Sequence, residues 1–71
     1  MVEVFKTSVR GKIKAREILK RLVEEFPSAR INFDLEDCDR ILRVEGESFS
    51  VDKVISTVEL FGYSCEVWQE F

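Results

Sequence analysis

Residues 29–45 read ARINFDLEDCDRILRVE. Between Ala29 and Leu35 the residues alternate: Ile31, Phe33 and Leu35 share one face, and Arg30, Asn32 and Asp34 share the other. This period of two is the pattern of a strand with one face buried and the other in water. Glu36-Asp37-Cys38-Asp39 follows as a short acidic turn. From Arg40 to Glu45 alternation resumes, with Leu42 and Val44 on one face and Ile41, Arg43 and Glu45 on the other. Two strands this close in sequence predict a hairpin, which Gly46 ends.

Toward the N-terminus, Ala15, Ile18, Leu19, Leu22, Val23 and Phe26 recur at helical spacing and predict one apolar stripe on a helix from Lys12 or Ile13 to Glu25. Pro27 stops that helix, because it has no N–H to donate and biases Phe26 away from helical angles. Val2 to Thr7 is a short β-rich run before a break at Ser8–Lys12. Val2 and Val4 lie on one face and Phe5 on the other, which suggests a central strand. Toward the C-terminus, Ser48 or Ser50 can cap a helix running from Val51 to about Phe61. Its stripe is Val51, Val54, Ile55, Val58 and Phe61, and Gly62 ends it. Cys65 to Trp68 reads as a short last strand, with a frayed tail beyond it.

The order is β-α-β-β-α-β in 71 residues. It predicts a single α+β domain over 1–71 with the ferredoxin-like arrangement: a four-stranded antiparallel sheet and two helices on one face. A chain this short buries only about 60% of its unfolded surface, which leaves little room for a deep enzyme pocket beside the core. Histidine is absent, and with it the usual general base and the commonest metal ligand. No nucleophile–base pair or converging acid pair stands out. Arg10 and Asn32 are too loosely related in sequence to argue for an acylphosphatase-like site. The expectation is a protein that is not an enzyme and carries no cofactor.

No apolar run approaches the roughly 20 residues of a membrane helix. MVEVFKTSV lacks a basic-then-apolar signal pattern, so the expected setting is cytoplasmic, without a membrane partner. Cys38 and Cys65 are the only cysteines, with no C-x-x-C pair, and the plain reading is two free thiols.

Charge is unevenly spread. Residues 1–33 hold eight Lys/Arg against four Glu, net +4, and residues 34–71 hold three Lys/Arg against ten Asp/Glu, net −7. This argues against nucleic-acid binding but leaves a basic face able to meet an acidic partner. Arg10, Lys12, Lys14 and Arg16 cluster at the start of the first helix, where positive charge opposes the helix dipole. They are read as a solvated basic patch or a docking surface for an acidic protein. A phosphate site is the weaker alternative, since Gly11 is the only glycine there. Asp34, Glu36, Asp37 and Asp39 lack the spacing of a calcium loop and read as a solvated turn. Phe5, Tyr63 and Trp68 belong either to core packing or to the uncovered sheet face, where a large side chain such as Trp68 would mark an interaction surface. The last strand is a further candidate, as an exposed edge able to pair with another chain.

Three framework features resemble the heavy-metal-associated domain, the family of copper chaperones and metal-ATPase N-terminal modules. They are Phe26-Pro27 closing the first helix, Ile31-x-Phe33-x-Leu35 before a short hairpin, and Gly62-Tyr63 after the second helix. The resemblance spans Val2 to about Trp68. It implies the ferredoxin-like fold with strand order 4-1-3-2, and a metal site M-x-C-x-x-C in the first loop and helix start. This chain departs there: alignment on Pro27 puts Arg10, Lys12 and Ala15 at the Met and two Cys positions, and a slip of one residue puts Val9, Gly11 and Lys14 there. Neither register supplies a thiolate, and a lysine ammonium repels a cation. In the family topology Cys38 and Cys65 would share the end of the sheet that holds the first loop, roughly 12 Å apart. That is too far for a disulfide.

The expectation is therefore a small binding module without the standard metal site. It would engage an unknown protein partner through Arg10, Lys12, Lys14, Arg16 or Trp68, as a monomer or weak homodimer. The alternative is a soft-metal protein, for copper or zinc, using Cys38 and Cys65.

Overall fold

The protein, seen here as a computed structural model, is described over residues 1–35 and 40–68. The elements are β1 (Val2–Thr7), α1 (Lys12–Glu25), β2 (Arg30–Asp34), β3 (Ile41–Glu45), α2 (Val51–Leu60) and β4 (Cys65–Val67). The four strands form one sheet in the order β2-β3-β1-β4, with every neighbouring pair antiparallel. This is the expected ferredoxin-like α+β fold. The acidic turn Glu36-Asp37-Cys38-Asp39 and the tail Gln69-Glu70-Phe71 lie outside the described residues.

β1 is central, paired with β3 on one edge and β4 on the other; Phe5 lies opposite both Leu42 and Val67. Side-chain alternation sorts the sheet into two faces. Phe5, Thr7, Ile31, Leu42, Val44 and Cys65 are buried on the helix side. There they meet Ala15, Ile18 and Leu22 of α1 and Val54 and Val58 of α2. Among the described residues no helix covers the opposite face, which carries Val2, Val4, Lys6, Asn32, Arg43 and Glu66, among others.

Two side chains depart from the expected pattern. Val23, assigned to the apolar stripe of α1, is 46% exposed. The buried line of α1 runs through Ala15, Ile18 and Leu22. Val23 stands one residue round from Leu22, off that buried line and on the side of the helix shared with half-buried Leu19. Val9, assigned to a polar break, is fully buried. It continues the inward alternation of Phe5 and Thr7 past the end of β1, and its N–H donates to the Thr7 hydroxyl at 3.3 Å. That hydroxyl in turn donates to the Arg40 carbonyl at 2.7 Å, tying the first loop to the start of β3.

Helix ends follow local chemistry. Ser50, of the two candidate serines, caps α2 by accepting from the Lys53 N–H at 3.2 Å. Gly62 closes α2 at φ +88°, in the left-handed region that glycine reaches without strain. A Cβ placed on Gly62 would meet nothing within 4 Å. Gly62→Ala therefore isolates the backbone cost and should lower stability by about 1–2 kcal/mol, measured as a shift in urea midpoint without a change in slope.

The helices are pinned to each other by a buried hydroxyl. Thr57 on α2 lies 2.9 Å from Glu25 Oε2 and 2.8 Å from the Lys53 carbonyl, so its one proton is shared between two acceptors. Arg21 donates to the other carboxylate oxygen of Glu25 at 3.0 Å. These two donors, Arg21 first and Thr57 second, hold the Glu25 carboxyl below its ordinary value of 4.5. A depressed carboxylate contributes stability that is present above its unfolded pKa and lost as pH falls through the folded one. Thr57→Val should consequently destabilise at neutral pH by about 1 kcal/mol and by less at pH 3, read from urea melts at the two pH values.

Candidate docking surfaces

The first loop and helix start put the four basic residues on the surface, but not in one cluster. Arg10, Lys12, Lys14 and Arg16 are all exposed. Gly11 is the N-cap of α1 and makes no side-chain cap, and the first turn of α1 holds no acidic residue. Lys14 is spent on the helix surface, 3.3 Å from Glu17. Lys12 and Arg16, one turn apart, instead line a recess of about 460 Å³ between α1 and β2. Ala15, Leu19, Phe33 and Leu35 supply its apolar surfaces, and Asn32 and Asp34 its polar rim on the strand.

This recess opens along β2, the outermost strand on its side of the sheet. Such a strand presents backbone N–H and C=O groups on its outer edge, a template for another chain. Leu19, Phe33 and Leu35 are only half-buried. Val23, one turn beyond Leu19, continues the uncovered apolar line along α1. An apolar strip beside a free strand edge, with two cations at its mouth, can take up a protein segment. Among the described residues it gathers no converging set of catalytic groups. The signal that would have found it is the spacing Lys12, Arg16, Leu19, Val23, which is one side of a helix, read together with the edge position of β2.

Trp68, the other expected interaction residue, lies across the sheet from this recess. Its N–H donates to the Val4 carbonyl at 2.8 Å, one residue past the end of β4. It therefore falls on the face opposite Val67, the one without helices. The ring is half-buried, with Lys6 Nζ 5.0 Å from its centroid, a cation–π contact. Phe5 belongs to the core and Tyr63 packs half-buried against it. The basic residues and Trp68 are thus two separate surfaces.

Cys65 pairs with Thr7 in the register of β1 and β4 and is a free, buried thiol. Burial, with Glu59 and Glu66 adding negative charge, pushes it from 9.0 up to about 12. A soft metal is held by thiolate, so this environment opposes the form a ligand needs. Cys38 lies outside the described residues. Among the described residues no group of three or more His, Cys, Asp or Glu could hold a metal ion.

No protein-family model, curated protein or solved structure matches the chain.

A raised thiol pKa means that the folded state keeps its proton where the unfolded state loses it. Stability from Cys65 is intact below pH about 9 and declines as pH climbs toward 12. At pH 8 the thiol should resist iodoacetamide in the native protein and react fully in 6 M guanidinium, as followed by peptide mass spectrometry. Fast native labelling at Cys65 would contradict this burial.

Proposed function

We propose that this chain is a non-enzymatic binding module of heavy-metal-associated-like design, without that family's metal site, which docks a protein partner along α1 and β2. The observation that carries the reading is the recess between these elements. Half-buried Leu19, Phe33 and Leu35 stand beside an edge strand, and Lys12 and Arg16 stand at the mouth. Cations over an apolar strip favour a partner with acidic groups flanking apolar ones. The positions that would carry thiolates bear exposed Lys12 or Gly11 and Lys14, or the core residue Ala15. The buried Cys65 thiol counts against the soft-metal alternative.

A photo-crosslinking residue at exposed Lys20, one turn beyond Arg16, tests the surface in living cells. The expected result is an adduct with a protein, reduced several-fold by Lys12→Glu/Arg16→Glu and absent when the probe sits at Glu47 in the loop after β3. No adduct, or one indifferent to those charges, refutes the reading. In parallel, native mass spectrometry of reduced protein with copper(I) or zinc should return the metal-free mass. A one-to-one complex that survives a competing chelator and disappears in Cys38→Ser/Cys65→Ser would reinstate metal handling.

A further inference from the structure

We propose that the partner of the α1–β2 edge is a second copy of this chain, joined β2 to β2 across a two-fold axis at Asn32. This rests on the reading of that edge as a docking surface and names its occupant. β2 runs Arg30-Ile31-Asn32-Phe33-Asp34, and its outer edge lies along the recess. Antiparallel pairing of two such strands about Asn32 sets Arg30 opposite Asp34 of the second copy and Asp34 opposite its Arg30. Both of these pairs lie on the sheet face without helices. On the helix face, Ile31 meets Phe33 of the second copy, and Phe33 its Ile31. All five residues of the strand pair, each with a residue of matching chemistry. Directly opposed residues of antiparallel strands lie on one face, so charge meets opposite charge and apolar meets apolar. A two-fold interface requires this self-complementarity.

The helix above β2 carries the same pattern. α1 has no acidic residue in its first turn and no basic residue in its last. Its N-terminal half carries Lys12, Lys14 and Arg16, and its last two residues are Glu24 and Glu25. That arrangement runs against the helix dipole at both ends. Under the same two-fold axis, α1 of one copy runs antiparallel to α1 of the other, so Lys12 and Arg16, which line the recess, lie toward the exposed Glu24 at the end of the mate's α1, while Lys14 and Glu25 are engaged within their own chain by Glu17 and by Arg21 and Thr57. A charge order unfavourable within one helix becomes favourable between two. The exposed Val23 and half-buried Leu19 lie on the side that this approach covers.

Sedimentation velocity from micromolar to low-millimolar protein tests the assignment with charge reversals. Wild type should show a reversible monomer–dimer equilibrium. Arg30→Asp sets like charges opposite each other twice per dimer, as does Asp34→Arg, and each should weaken association about tenfold or more. Arg30→Asp/Asp34→Arg should restore it. Mixing the two single variants should also restore it, as a heterodimer, because each then supplies the sign the other lacks. Circular dichroism of each variant checks the fold. Independently of the charge variants, Asn32→Cys under mild oxidation should give a chain linked 32 to 32, since opposed strand residues lie within disulfide reach. A wild type monomeric throughout, single variants that associate normally, a double variant that does not recover, or no 32-to-32 linkage would each overturn the dimer. A heterologous adduct at Lys20 with a monomeric wild type overturns the second copy while leaving the docking surface standing. Absence of any adduct removes both.

Discussion

β1 is hydrogen-bonded along both edges, to β3 and to β4, and its Phe5 is fully buried beneath the helices. Fully burying a side chain of this kind is worth roughly 1.5–3 kcal/mol. That is a large share of the net stability of about 4–10 kcal/mol expected for a chain of this size. The remaining elements are arranged to keep that side chain dry. Leu42 and Val67 flank it from the neighbouring strands, and Ile18, Leu22, Val54 and Val58 close the layer above. Two helices are enough to cover one side of four strands, and the other side faces outward.

The division of labour across the surface follows from that limit. One exterior is the uncovered sheet face, where polar residues and the Lys6–Trp68 contact reduce the apolar area left in water. The other is the flank where α1 overhangs β2, and there Leu19, Phe33 and Leu35 remain half-buried. Of the two cysteines read as candidate metal ligands, Cys65 lies inside the core, away from both surfaces, and Cys38 lies outside the described residues. The half-buried apolar groups and the Lys12 and Arg16 cations are thus gathered at the α1–β2 flank.

Much of this fold was legible in the residues, because periodicity reports burial directly. The alternation Ile31-x-Phe33-x-Leu35, the spacing Ile18–Leu22 and the Ser50 and Gly62 helix boundaries all correspond to observed features. Val23 was misplaced because a helical stripe states which side is apolar, without stating how far the layer beneath extends. Val9 was missed because a single apolar residue among polar ones resembles loop, although Phe5, Thr7 and Val9 together keep a strand's period. The basic group was visible as four charges near one helix start. Its division into a Lys12–Arg16 rim and a Lys14 bound to Glu17 depends on helix orientation, which sequence spacing leaves open. For Trp68 the sequence leaves open whether it packs in the core or on the uncovered face; its place on that face and its separation from the basic residues follow from the register of β4 and the strand order.

The antiparallel seam between β1 and β4 joins residues 5–7 to residues 65–67, nearly the full described span apart. Until Val67 has emerged from the ribosome, the first strand can be satisfied on one side only, by β3. A nascent chain therefore carries a half-finished sheet, with one edge of the first strand unpaired until β4 has emerged. Loop closure over such a distance is slow relative to helix formation, so both helices are ready before the sheet is. During that interval the unpaired side of the first strand is what chaperones and neighbouring nascent chains meet.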